Sequence, residues 1–111
     1  NKPAVFSRQL LAGFGLEELF AFVGGPDLGF PEKPDPAMVR AAVDAMGVPP
    51  AETLFVGDMT VDVATARAAG LAVAVVPLGS STREELEASG PDFLFDSLAE
   101  VLPLFAEFRA V

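Results

Sequence analysis

Two short, uninterrupted apolar runs constrain the fold of this chain more than any other feature of its sequence. They cover residues 54–56 and 71–76, and Pro77 ends the second run. A strand that is apolar at successive positions is typical of a parallel sheet with helices on both faces. The alanine-rich segment between the runs is long enough for the helical crossover that joins parallel strands. We therefore expect a strand–helix–strand unit at the centre of the fold.

The same alternation of elements extends to both sides of this unit. Further strands are predicted over residues 21–23 and 93–95, where short apolar segments are flanked by turn-forming residues. A helix is predicted to begin at Asp35-Pro36 and to end at Gly47, and the next helix is predicted to end at Gly70. The resulting order, βαβαβαβ, predicts the α/β class with a parallel sheet. We assign the phenylalanines to the core.

The composition narrows the chemistry that the chain can perform. Its 111 residues carry a net charge of −9, which argues against nucleic acid or an anionic membrane as a partner. A phosphorylated metabolite remains compatible with this charge, because a bound divalent cation reverses the local field. The sequence has no cysteine and no histidine, so it contains no disulfide, no Cys/His zinc site and no Ser-His-Asp triad. The lack of cysteine is compatible with a cytoplasmic location.

The strand–helix junction after the first apolar run carries two acidic residues four positions apart. The segment reads Gly57-Asp58-Met59-Thr60-Val61-Asp62. Two carboxylates at such a junction can converge on one hard cation, and Mg²⁺ is typically bound by one or two carboxylates together with water and phosphate. The helix N-terminus would also favour anionic groups. The alternative is structural: Asp62 would only complement the helix dipole, and Asp58 would only be a turn residue.

Two basic positions are predicted to lie at the same edge of the sheet as the acidic pair. Lys33 stands in the proline-rich segment Lys33-Pro34-Asp35-Pro36, and Asn1-Lys2 precedes the first predicted helix. Ligands of parallel sheets bind at the carboxyl ends of the strands, and these loops follow predicted strand ends. A lysine can neutralise a phosphoryl oxygen or a carboxylate. The alternative for Lys33 is an ordinary solvated loop lysine.

Taken together, these segments resemble the C-terminal half of a haloacid-dehalogenase (HAD) superfamily hydrolase of the phosphoglycolate-phosphatase-like branch. The resemblance implies a three-layer, Rossmann-like parallel sheet that is incomplete here, with residues 1–111 forming the C-terminal half of one HAD-like core domain. The nucleophile motif, D-x-D-x-T/V, and the cap domain of that family are not in this sequence. The segments that carry the resemblance are Asn1-Lys2-Pro3, Lys33-Pro34-Asp35-Pro36, Gly57-Asp58-Met59-Thr60-Val61-Asp62, Ala66-Arg67-Ala68-Ala69-Gly70 and Pro91-Asp92-Phe93.

The resemblance also implies roles for five residues. Lys33 would be catalytic and would neutralise the phosphoryl group, while Asp58 and Asp62 would hold Mg²⁺. Asn1 and Lys2 would bind the substrate, Asn1 through its backbone N–H. The implied activity is hydrolysis of a small phosphorylated metabolite through an aspartyl-phosphate intermediate. We expect that activity of a longer protein, with this chain inactive on its own.

Two other hypotheses fit the same residues. One keeps the superfamily but changes the reaction to that of a phosphomutase, a phosphonatase or a dehalogenase. A dehalogenase needs no metal, so the paired aspartates argue against it. The other is a metal-binding or partner-binding module without catalysis, in which the open edge of the sheet is covered by another chain. The sequence leaves the substrate open, and it allows a homo-oligomer.

Overall fold

The computed structural model describes residues 2–109 of the chain, with side chains as far as residue 105. Helices and strands alternate along most of it, joined by short loops and single 3₁₀ turns. The α-helices are α1 (Ala4–Gly13), α2 (Ala37–Met46), α3 (Thr60–Ala69), α4 (Arg83–Ala88) and α5 (Leu102–Arg109). The strands are β1 (Leu54–Gly57), β2 (Ala72–Val75) and β3 (Phe93–Leu94).

The three strands form one parallel sheet in the order β1-β2-β3. Leu54 lies opposite Ala72, and Ala74 lies opposite Phe93, so the strands are in close register. The carboxyl ends of β1 and β2 therefore meet at one edge, where the Val76 N–H donates to the Gly57 carbonyl at 3.0 Å. The α/β class and the parallel sheet predicted from the apolar runs are confirmed.

The core joins the sheet to three helices. Its buried cluster takes side chains from α2, α3, β2 and α4. Its members are Val39, Val43, Val63, Ala66, Leu71, Val73, Val75 and Leu86. Gly47 and Gly70, with φ of 68° and 75°, end α2 and α3 in the left-handed conformation that glycine adopts without strain, as predicted. The Asp35 carboxylate accepts from the Ala37 N–H at 2.9 Å, and α2 begins at Ala37, one residue after the predicted first helical position.

The strand predicted over residues 21–23 is wrong. These residues form no strand, although Phe22 is partly buried and contacts the Phe30 ring edge-on at 6.1 Å between centroids. A strand needs a neighbour that accepts and donates its backbone hydrogen bonds. In the described part of the chain the sheet ends at β1, and the 21–23 segment does not pair with it. Among the described residues, this segment is held through the packing of Phe22 on Phe30.

The assignment of the phenylalanines to the core is wrong for four of those whose side chains the structure describes, and the side chain of Phe108 lies outside that part. Phe6, Phe14, Phe20 and Phe105 are exposed, and Phe14 keeps 76% of its surface accessible. The apolar side of α1 has too few described neighbours to cover it. No α-helix within residues 2–109 has the length and apolar character that crossing a bilayer would require.

Candidate functional site

The junction between β1 and α3 is closed by the side chain of Asp62. Its Oδ2 accepts hydrogen bonds from the backbone N–H groups of Asp58 at 2.9 Å and Met59 at 3.0 Å. A Cβ added to Gly57 would overlap the Asp62 carboxylate, so glycine is required at this position by close approach, although its φ is not positive. The Gly-Asp-x-x-x-Asp segment thus forms a tight turn in which the second aspartate folds back over the strand end.

Lys33 reaches this turn from the loop before α2. Its Nζ donates to Asp62 Oδ1 at 2.7 Å, and the Asp62 side chain is only 3% exposed while that of Lys33 is 22% exposed. Burial raises the pKa of Asp62, but the hydrogen bonds from Lys33 and from the two backbone N–H groups outweigh it. The net pKa of Asp62 lies below its ordinary value. Asp62 is therefore a carboxylate anion that holds the lysine in place.

Lys33, Asp58 and Asp62 line one cleft of about 280 Å³ at the carboxyl end of β1. The two oxygens of Asp62 bind Lys33 and the turn. In contrast, no group in the described part of the chain donates a hydrogen bond to the Asp58 carboxylate. The cleft therefore combines an ammonium group with a carboxylate that remains available to a ligand. The other residues of its lining are Val56, Gly57, Val76, Leu78 and Leu98.

The acidic side chains of this cleft provide some of the ligands that an Mg²⁺ site needs. Among the described residues there is no group of three or more acidic side chains that could enclose a metal ion. Mg²⁺ does not require such a cage, because it is commonly held by one or two carboxylates and completes its octahedron with water and phosphate. Asp58 meets this requirement. The metal-binding role of Asp62 stays a prediction, since both of its oxygens accept hydrogen bonds from the protein here.

Of the two predicted substrate-binding residues at the start of the chain, the structure describes Lys2. Asn1 lies outside the described residues. Lys2 is exposed, and it is not among the residues that line the cleft. The segment that follows is fixed by Asp27, whose carboxylate accepts from the Ala4 N–H at 2.6 Å and the Val5 N–H at 3.2 Å. These bonds, mainly the one from Ala4, lower the pKa of Asp27.

The loop after β2, residues 77–82, is part of the site, and the sequence analysis missed it. In the structure the buried Ser81 hydroxyl accepts from the Thr60 N–H at 3.1 Å, at the start of α3. Leu78, on the same loop, lines the cleft. The available signal was topological: this loop follows the strand next to β1, so it must lie at the same edge of the sheet.

Comparison with known proteins agrees with this architecture. The sequence model of a family described as HAD-hydrolase-like matches residues 31–101. Phosphoglycolate phosphatase from Rhodospirillum rubrum is 44% identical over 101 residues, covering 91% of this chain and 42% of that protein. Phosphoglycolate phosphatase from Pectobacterium atrosepticum is 38% identical over 104 residues, covering 94% of this chain and 44% of that protein. The chain thus spans less than half the length of these curated relatives.

A solved structure supports the fold independently. The crystal structure of a candidate phosphatase from Clostridium difficile aligns with a TM-score of 0.81 over 93% of this chain and 48% of that one. The two sequences are 22% identical, so this likeness concerns the fold alone. The three-stranded parallel sheet corresponds to an incomplete version of that larger α/β core.

Proposed function

This chain belongs to the HAD-like hydrolase family, and we propose that it supplies the lysine and the metal-binding carboxylate of a phosphatase acting on a small phosphorylated metabolite. One observation carries the proposal: Lys33 Nζ is fixed 2.7 Å from Asp62 Oδ1 in the same cleft that Asp58 lines. A partly buried ion pair that holds an ammonium group in the same cleft as an available carboxylate favours binding of a phosphoryl group together with a divalent cation.

Each side chain of the cleft has a distinct part in the proposed reaction. Asp58 would hold Mg²⁺, which when bound offsets the negative charge of the phosphoryl oxygens. Lys33 would offset the charge of the phosphoryl group and stabilise the charge on its equatorial oxygens in the transition state. Asp62 keeps Lys33 and the turn in position. The phosphoryl group would pass to an aspartate carboxylate outside this chain and then to water, so this chain alone would be inactive.

The proposed substrate class follows from the relatives and from the charge of the site. Both relatives are phosphoglycolate phosphatases, so a small phosphorylated carboxylate is the first substrate to test. Asn1 and Lys2 would add donors on the substrate side. The cytoplasmic location and the absence of nucleic acid as a partner stay predictions. Phosphomutase, phosphonatase and dehalogenase reactions remain the alternatives, and they are distinguished by the product formed.

The test uses the protein extended upstream through its gene, assayed for release of phosphate from phosphoglycolate and from an aryl phosphate. We expect Asp58→Asn to lower kcat at least a hundredfold, because it removes a group that stabilises charge only through the bound cation. Asp44→Asn is the matched control, since Asp44 is exposed on α2. Activity that survives Asp58→Asn, or that persists fully in a chelator, would overturn the proposal.

A further inference from the structure

The loop formed by residues 77–82 contacts Asp58 through Gly79. An added Cβ at Gly79 would lie 2.6 Å from Asp58 Oδ2 and 2.9 Å from Asp58 Cγ. Real side chains do not approach this closely, so the Asp58 carboxylate occupies the space that any side chain at position 79 would need. The backbone of Gly79 is not in the left-handed region, unlike that of Gly29 or Gly90. Contact with Asp58, and not backbone conformation, therefore demands glycine here.

The loop is anchored on both sides of Gly79, so it cannot easily move away from Asp58. On one side, Val76 is hydrogen-bonded to the end of β1 and accepts from the Leu78 N–H at 2.8 Å. On the other, the Ser81 hydroxyl accepts from the Thr60 N–H at 3.1 Å, and Thr82 caps α4 by accepting from the Glu85 N–H at 3.1 Å. A side chain added at Gly79 would consequently displace the carboxylate more readily than the loop.

We propose that Gly79 is a positioning residue for the metal ligand Asp58. The Asp58 carboxylate receives no hydrogen bond from any described residue, so its direction is set by the surfaces that enclose it. The flat backbone of Gly79 is one of these surfaces, and it leaves the carboxylate directed into the cleft. This inference rests on the proposed metal-binding role of Asp58, whereas the contact between Gly79 and Asp58 does not.

The first experiment is a double-mutant cycle on thermal unfolding, with the metal removed by a chelator. Gly79→Ala should lower Tm by roughly 2–4 °C in the wild-type background, because the new methyl group forces the Asp58 carboxylate to move. In the Asp58→Ala background the overlapping atoms are gone, and Met59 Cγ at 3.2 Å needs to yield only slightly. The same substitution should then cost much less. Equal losses in the two backgrounds would overturn the inference.

The second experiment measures binding of Mn²⁺, a spectroscopic probe for the Mg²⁺ site, to the folded chain. Gly79→Ala should weaken Mn²⁺ binding about tenfold, the loss typical when the support of a metal ligand is disturbed. Gly13→Ala is the matched control, because a Cβ there meets nothing within 4 Å and its φ is not positive. It should leave Mn²⁺ affinity nearly unchanged and should not lower Tm, because alanine is the better helix former.

The two experiments separate this inference from the proposed function. Coupling in the cycle together with weaker Mn²⁺ binding supports both. Coupling with unchanged Mn²⁺ affinity in Gly79→Ala overturns the positioning role and leaves the proposed function intact. If the wild-type chain binds no Mn²⁺ while Asp58→Ala and Gly79→Ala still couple, the metal-binding role of Asp58 fails, and the loop contact is purely structural.

Discussion

At the scale of single residues, Asp58 and Asp62 have the same side chain but differ in burial and in hydrogen bonding. Asp62 is buried and accepts three hydrogen bonds from the protein. Asp58 lines the cleft, with no hydrogen bond to its carboxylate from any described residue. Removing Asp62 breaks the ion pair with Lys33 and leaves two backbone N–H groups without their acceptor. The two aspartates should therefore differ sharply when they are substituted.

We predict that Asp62→Ala lowers the free energy of unfolding by about 2–4 kcal/mol, since it leaves Lys33 and two turn N–H groups without their acceptor. Asp58→Asn is the matched control, and it should change the free energy of unfolding by less than about 0.5 kcal/mol. Urea unfolding of the two variants measures both values. Similar losses for the two would mean that the Lys33–Asp62 pair contributes no special stability.

The sequence predicted that Lys33, Asp58 and Asp62 lie together, but not how each one is used. The spacing of Asp58 and Asp62 places them on one turn, and Lys33 does reach that turn, as the resemblance implies. The direction of each carboxylate depends on atoms that the spacing does not specify. Gly79, which is 21 residues from Asp58 along the chain, could not be connected to it before the fold was known. To predict contacts between loops, the order of the strands must be known, and that order is set by how the strands pair across the sheet.

At the scale of elements, the two-residue strand β3 depends on side chains as much as on backbone pairing. Asp92 Oδ2 accepts from the Val73 N–H at 2.8 Å and from Arg67 Nη1 at 2.9 Å. Arg67 also donates to the Gly90 carbonyl at 2.8 Å. The Arg67 hydrogen bond and the Val73 N–H lower the pKa of Asp92. This group joins the end of α3 to the start of β3, so its protonation should loosen that side of the sheet.

We predict a corresponding change in the pH dependence of stability. Because the pKa of Asp92 is lower in the folded state, its contribution is fully present above its ordinary value of about 4 and is lost as pH falls below it. The difference in Tm between wild type and Asp92→Asn should therefore be largest near neutral pH and should narrow below pH 4. Asp44→Asn is the control and should follow wild type throughout. A constant difference across the range would contradict the prediction.

Helix ends that depend on the local sequence were predictable, whereas a strand that needs a neighbouring strand to pair with was not. Gly47 and Gly70 end their helices in the left-handed conformation, which glycine adopts without a steric penalty, and both ends were predicted. The apolar runs that became β1 and β2 were also recognisable, because each is long enough to pair with the other. The strand predicted at residues 21–23 failed, because a strand exists only where a neighbour can pair with it.

At the scale of the whole molecule, the chain exposes more surface than its mass predicts. Its accessible surface is 6788 Å² for 11.6 kDa, whereas a compact monomer of this mass has about 5,800 Å². Large apolar side chains contribute to this surface. The exposed residues include Val56 on β1 and several large side chains of α1, which are Val5, Phe6 and Leu10. Next to β1, an apolar groove of about 280 Å³ runs between Phe22 and the α2 side chains Met38 and Met46.

We predict that the isolated chain associates with itself and binds an apolar dye, because exposed apolar surface and an open strand edge favour both. The upstream-extended protein is the matched control. If its additional residues cover β1 and the groove, dye fluorescence per chain should fall several-fold and the sedimentation coefficient should become independent of concentration. An isolated chain that stays monomeric at about 100 μM without dye binding would contradict this prediction. In that case the exposed apolar face would be stable in water by itself, and the three-stranded sheet would need no further strands to fold.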